Sequence, residues 1–530
     1  MEKIFEFVTK KIQNMSRASA EHLLNGRKKV GRLEVARELL RSDKASGPGV
    51  QPRGDDELTQ HLEKDIGQIN QEIESEHQEL RKVAQKAGEE NIPENLSADE
   101  KENLKLILQE YGNDSEIPLQ VRNVVEGSNG LRDKWGEADQ VEEVEDDFAE
   151  MVEGFREYSG GDYGEVLGIW EPNVPPQKID QIMKRVKEEA IGILEEIPSD
   201  EVQGVWERTG AEVDDSRSLE ELTENPASVH EFLANYVLGG NPVRMPVRIA
   251  SSGMEYGNSL MAPLQTTDQS FWAKALDTTA HEYGHTFGRE NLPRDQMYLP
   301  LGEPPSEAVD EGSARFYQNH VFRSREFLGF LASESEEGIG PQDWLSAHGI
   351  PDFDPENLYG WFNAIDPNNR ERISADPVTY PLHVVIRYEI EKELIESGEP
   401  AGSMVDDIHD KWQNKMQSYI GDPLRIEIEE MDESETVLQD VHWGKGKFGY
   451  FPSYTLGDVM AANWRGSMDE ELEKDVGEYA SNTDLDTVND WMVENIWQHG
   501  KAVWDRSDYT ELDVEPYIDH LRDKADELYM

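Results

Sequence analysis

The sequence predicts a mainly α protein, and three observations predict it. Apolar residues recur at helical spacing through most of the 530 residues. Short β-branched runs are confined to one stretch, residues 239–270, where Gly, Pro, Ser, Met and Thr are frequent. No internal repeat divides the chain.

Taken in order, residues 1 to about 42 read as helix, with Ile4, Phe5, Val8 and Ile12 on one face. A Pro/Gly linker follows from Ser42 to Asp56. From Leu58 to about Gly88 a long polar pattern carries Leu62, Ile66, Ile69, Ile73, Leu80 and Val83 at helical spacing, as in a helical hairpin or coiled-coil arm. Ser97-Ala98-Asp99-Glu100 has the form of a capping box. Helical patterns then run to about Pro198, interrupted at Gly160-Gly161 and at Pro172 to Pro176. Gln177 to Ile197 is strongly periodic, with Ile179, Ile182, Val186, Ala190 and Ile193 on one side. Val243 to Ile249 is the candidate for a small strand region. Beyond it the pattern is again helical, with a loop-rich stretch expected from Gly338 to Asn369 and an acidic insertion from Asp422 to Glu435. Gly444 to Gly449 matches G-x-G-x-x-G, but follows no apolar strand and opens no helix, so it is not read as a nucleotide site.

Asp and Glu number 111 against 51 Lys and Arg, a formal net charge of −60. A charge of that size ordinarily signals disorder. Here it coexists with 12 Trp, 18 Tyr and 15 Phe, and the acidic residues are spread along the chain. The expectation is a folded core under an evenly acidic surface, the pattern of a halophilic protein, since high salt screens self-repulsion. Nucleic acid is excluded as a partner by charge. With no cysteine and no signal-like N-terminus the expected compartment is cytoplasmic, and no run of about 18 apolar residues suggests a membrane span.

His281-Glu282-Tyr283-Gly284-His285 reads H-E-x-x-H, between a helix-favouring approach from Phe271 and an exit marked by Gly288 and Pro293. Residues four apart lie on one helix face, so both imidazoles can meet one metal ion. Glu282 is then placed to act on a metal-bound water, which is the zinc-peptidase arrangement. A third ligand is needed. Glu311 lies 26 residues past His285, on a segment that reads as a helix after Pro304-Pro305, and a His2Glu set is a catalytic zinc set. Gly284 costs about 1 kcal/mol against Ala in a helix, and a close backbone approach is the expected reason.

Several separated blocks resemble the Taq-type zinc metallocarboxypeptidases. They are Thr279 to His285 with Asn291-Leu292-Pro293, Asp310 to Arg315, Arg372 to His383, Val437 to Trp443, and Phe448 to Gly457, with Trp170-Glu171-Pro172 as a weaker upstream match. The resemblance implies a large two-lobed helical protein with a deep groove, usually a homodimer, that releases residues from peptide C-termini. It implies His281, His285 and Glu311 as ligands of one zinc ion, with cobalt as a substitute, and Glu282 as general base. His442, Tyr450 and Tyr454 match the family's site wall and are the candidate oxyanion donors. Arg372, with Arg248 second, is the candidate for the substrate carboxylate, because a guanidinium binds one bidentately.

The match weakens upstream, where Asn241-Pro242-Val243 and Pro246-Val247-Arg248 stand in place of the family's H-P-F and D-x-R-x-T. Residues 1–110 carry no convincing match, so the chain divides into an N-terminal helical region, 1–110, and a peptidase body, 111–530. Asp310 stands where the family has His, either to orient a ligand imidazole or simply exposed, and Ser313 stands where it has Gln. These departures leave two alternatives beside the carboxypeptidase: an oligo- or endopeptidase with the same zinc chemistry, and a non-catalytic peptide-binding homologue.

Overall fold

The computed structural model describes residues 22–33, 56–84, 96–112, 141–209, 271–333, 354–366, 371–430, 440–481, 485–505 and 512–530, with short pieces at 20, 92, 248–250, 261–263, 342, 369 and 436–437. Residues 1–19, the linker at 42–55 and the altered segment at 241–247 lie outside them. The fold is mainly α, as expected. The strand region reduces to β1, Arg248–Ala250, and β2, Met261–Pro263, paired in parallel with Arg248 opposite Met261. No helix among the described residues is long and apolar enough to cross a membrane.

The periodic segments fold as their spacing demands. Pro176–Glu196 is one helix that buries Ile179, Ile182, Val186, Ala190 and Ile193. Proline at its first turn lacks only an N–H that the helix cannot use. The capping box closes both ways: Glu100 N donates to Ser97 Oγ at 3.2 Å, and Ser97 N donates to Glu100 Oε2 at 2.8 Å. Asp56–Ala84 is a single helix. With helices 22–33 and Ala98–Gly112 it buries Leu23, Val30, Ile73, Leu80, Leu104 and Ile107 in a small core of their own, joined there by Leu299. Asn103 ties this unit down, donating to Gln296 Oε1 at 2.8 Å and accepting from Leu301 N at 3.1 Å. The N-terminal helices therefore sit on the turn that follows the H-E-x-x-H helix.

Two expectations are refined. The loop-rich stretch expected from Gly338 to Asn369 contains, among its described residues, the helix Pro355–Asn363, which buries Leu358, Tyr359 and Phe362. At nine residues it is too short for periodicity to stand out, but Asp354 caps it by accepting from Glu356 N and Asn357 N. The expected acidic insertion begins as packed structure: Leu424 and Ile428 are buried. Arg425, at φ 59°, donates to the carbonyls of Ile197 and Glu195 at the end of the 176–196 helix. The G-x-G-x-x-G residues make turns. Gly449, at φ 78°, has no room for a side chain, since a Cβ there would lie 2.7 Å from Val166 O.

Candidate metal centre and peptidase site

The site is built on the crossing of two helices, Phe271–Glu290 and Glu307–Arg315. Gly284 makes the crossing close. A Cβ at Gly284 would lie 2.5 Å from both Ala314 Cα and Ser313 O, so only glycine fits. Ser313 Oγ donates to Gly284 O at 3.0 Å and pins the pair. A third helix, Pro452–Glu471, is equally close on the far side, where a Cβ at Gly457 would lie 2.8 Å from Gly312 N. Ser306 and Glu171 cap the ligand-bearing helix: Val309 N donates to Ser306 Oγ at 3.2 Å and Ala308 N to Glu171 Oε1 at 2.7 Å.

This crossing brings His281, His285 and Glu311 together. The two Nε2 atoms are 3.3 Å apart, and Glu311 Oε2 lies 3.6 Å from one and 3.7 Å from the other. Donors about 2.0–2.1 Å from a tetrahedral ion lie about 3.3 Å apart, so the triangle fits one small cation. Burial makes the fit necessary. Glu311 Oε2 is buried and has no hydrogen-bond partner among the described residues. Each Nδ1 faces an acceptor, Gln318 Oε1 at 3.2 Å for His281 and Asp310 Oδ2 at 3.1 Å for His285. Those partners assign the Nδ1 protons and leave three acceptors converging on one point, an arrangement that only a cation or a shared proton relieves. Burial, with the charges of His285, Arg315 and Arg372 nearby, holds His281 well below the usual imidazole range. Burial opposes charge on His285 too, but Asp310, Glu311 and Glu282 outweigh it and push His285 up to about 10. A proton there competes with a metal for the same lone pair.

Tyr450 holds the other side of Glu311, donating to Oε1 at 2.7 Å. Its hydroxyl, expected from the sequence as a candidate oxyanion donor, is thus engaged with the Glu311 carboxylate. His442 and Tyr454 are joined to each other: Asp440 Oδ1 lies 2.6 Å from His442 Nδ1, so Tyr454 OH donates to Nε2 at 2.9 Å. Burial, with Arg372 and Lys447 beside it, outweighs Asp440 and pushes His442 down to about 4, neutral at pH 7. Arg372 is buried, lies 3.9 Å over the Tyr454 ring and donates to Tyr380 OH at 2.8 Å. Its Nε is buried with no partner among the described residues. Glu282 is buried one residue along from His281. Arg248 begins β1, and its side chain lies outside the described ones.

The comparisons bear on this geometry. Residues 264–525 match the model of the family described as Carboxypeptidase Taq (M32) metallopeptidase. Over that segment, just under half of its length, the chain resembles that metallocarboxypeptidase family. Carboxypeptidase 1 of Bacillus subtilis is 26% identical over 459 residues, which cover 82% of this chain and 85% of that one. Thermostable carboxypeptidase 1 of Thermus thermophilus is 29% identical over 266 residues, about half of each chain (49% and 48%). Among solved structures, a Pyrococcus furiosus carboxypeptidase superposes with a TM-score of 0.76 at 18% identity, covering 97% of this chain and all of that one. Trypanosoma cruzi metallocarboxypeptidase 1 gives 0.76 at 23% identity over 96% of this chain and 99% of that one. These likenesses show the fold.

Gln318, Asp277, Arg315 and Asp440 are absent from the sequence reading as site residues. Gln318 accepts from His281 and from Arg315 NH1 (2.7 Å), and donates to Asp277 Oδ2 at 2.6 Å. It lies on a π-helical turn, Phe316–Phe322, which shifts its face relative to the helix before it. No α-helical wheel would aim it at His281. Asp440 was legible in part, because an acid two residues before a histidine can reach its ring.

Proposed function

We propose that this chain is a zinc-dependent metallocarboxypeptidase that hydrolyses the last peptide bond of peptides with a free C-terminus. The convergence of two imidazole Nε2 atoms on the buried, otherwise unpartnered Glu311 Oε2 carries the reading. Zinc held by His281, His285 and Glu311, with cobalt as a substitute, supplies a Lewis acid and a bound water of lowered pKa. Glu282 takes the proton from the attacking water and returns it to the leaving amine. Tyr454 turns its hydroxyl from His442 to the developing oxyanion, and neutral His442 accepts that proton's hydrogen bond again afterwards. Tyr450 holds Glu311 so that Oε2 faces the imidazoles. Arg372, with a buried N–H to spare, receives the substrate carboxylate. In so acidic a protein a buried guanidinium is a strong means of choosing a peptide's carboxyl end. Arg248 is the second candidate for that contact.

The reading extends to a homodimer, on the family resemblance, and to a salt-rich cytoplasm, on the cysteine-free and evenly acidic composition. The test pairs metal analysis with mass spectrometry of a peptide and its C-terminally amidated form. About one zinc per chain, a C-terminal ladder from the free acid alone, and loss of about 10²–10⁴-fold in rate for Glu282→Gln with metal retained are expected. Equal cleavage of the amidated peptide favours the oligo- or endopeptidase alternative. Protein that takes up no metal, and is indifferent to Glu282→Gln, favours the non-catalytic one.

A further inference from the structure

We propose that Asp310 is a positioning residue for metal capture, acting through His285 and held in place by Arg289. The inference rests on the metal reading above. Asp310 Oδ2 lies 3.1 Å from His285 Nδ1 and 2.9 Å from Arg289 NH2. His285 and Arg289 are one helical turn apart on the same helix, and Asp310 comes from the facing one, so the carboxylate bridges both. The two ligand histidines are therefore steered by different chemistry. His281 faces a neutral amide, whose own orientation is locked by Arg315 and Asp277. His285 faces a carboxylate that the Arg289 guanidinium grips from the same side.

A carboxylate has only acceptors, so it admits His285 with Nδ1 protonated and Nε2 bearing the lone pair. It also raises the basicity of that lone pair toward a metal. Asp310 is 3% exposed, and its Oδ1 has no partner among the described residues. Burying a carboxylate with one oxygen unsatisfied is costly. Two charged contacts through Oδ2 alone, on a ligand imidazole and its buttress, are what that cost maintains. Arg289 is the more accessible of the two partners, its side chain 40% exposed.

The test measures zinc affinity of the full chain by chelator competition, and the visible spectrum of the cobalt-loaded protein. Asp310→Asn keeps the shape and is expected to bind zinc about 10–100-fold more weakly, with an altered cobalt spectrum. Arg289→Gln, with a circular-dichroism spectrum matching the parent's, is expected to weaken zinc several-fold in the same direction. Asp354→Ala removes the cap of the Pro355–Asn363 helix, which carries no residue of the site, and is expected to leave affinity within about twofold. Parent-like zinc affinity and cobalt spectrum in both Asp310→Asn and Arg289→Gln overturns the proposal. So does an equal loss in Asp354→Ala, which would make the effect one of general destabilisation. Failure of the parent itself to bind zinc overturns the metal reading instead.

Discussion

Tyr450 donates its hydroxyl proton to Glu311 Oε1 at 2.7 Å, and the second oxygen of that carboxylate faces His281 and His285. The tyrosine comes from a turn 139 residues further along the chain, after the third of the packed helices has been approached. One oxygen is held by the protein so that the other is presented at a fixed angle.

Tyr450→Phe therefore leaves Glu311 Oε1 buried without a donor. Zinc affinity is expected to fall about 10-fold, and stability by about 1–3 kcal/mol. Chelator competition and urea unfolding of the same preparation check both. Unchanged affinity would reduce Tyr450 to a packed aromatic.

Gly284→Ala sets two effects against each other. Alanine improves helix propensity by about 1 kcal/mol. Its Cβ, however, meets Ala314 and Ser313 backbone at 2.5 Å, which a side chain cannot relieve by rotating. Overpacking of this kind costs about 1–3 kcal/mol, and here the backbone is the obstacle. The variant is expected to lower the urea midpoint and to lose metal more readily, and a stabilised variant would refute the close crossing.

Glu171 makes stability depend on pH. Burial pushes its carboxyl up to about 8, despite the hydrogen bonds from Ser453 and Ala308. The folded state keeps a proton that the unfolded chain releases near 4.5, so its contribution is complete below about 4.5 and is lost as pH rises through about 8. Glu391, also pushed up to about 8, acts in the same sense. Glu171→Gln keeps the acceptor for Ala308 N and is expected to flatten the fall in stability between pH 5 and 8 by on the order of a few kcal/mol. Thermal midpoints measured at several pH values give the slope, and a slope identical to the parent's counts against a protonated Glu171.

The net charge of −60 predicts a salt response. Raising KCl from 0.1 to 2 M shortens the screening length from about 10 Å to under about 3 Å, and the thermal midpoint is expected to rise by several degrees or more. A midpoint that is flat or falls across that range removes the case for salt adaptation.

Much of this protein is legible without coordinates. Helix after helix follows apolar spacing, because 3.6-residue periodicity is a local property that any window of chain displays. The same locality puts His281 and His285 on one face, marks the Ser97–Glu100 cap, and makes Glu282 their neighbour. The short Pro355–Asn363 helix escaped because nine residues give periodicity too little room. Tertiary structure decided what lies between helices. Glu311 as a candidate third ligand is compatible with its 26-residue separation, but the crossing at Gly284, Ser313 and Ala314 sets its distance from the imidazoles. Gln318 behind His281, Asp310 with Arg289 behind His285, and Asp440 behind His442 depend on how those helices rotate against one another. Rotation and approach are fixed by which side chains are small enough at the crossing, a relation between residues far apart in sequence that no local pattern records.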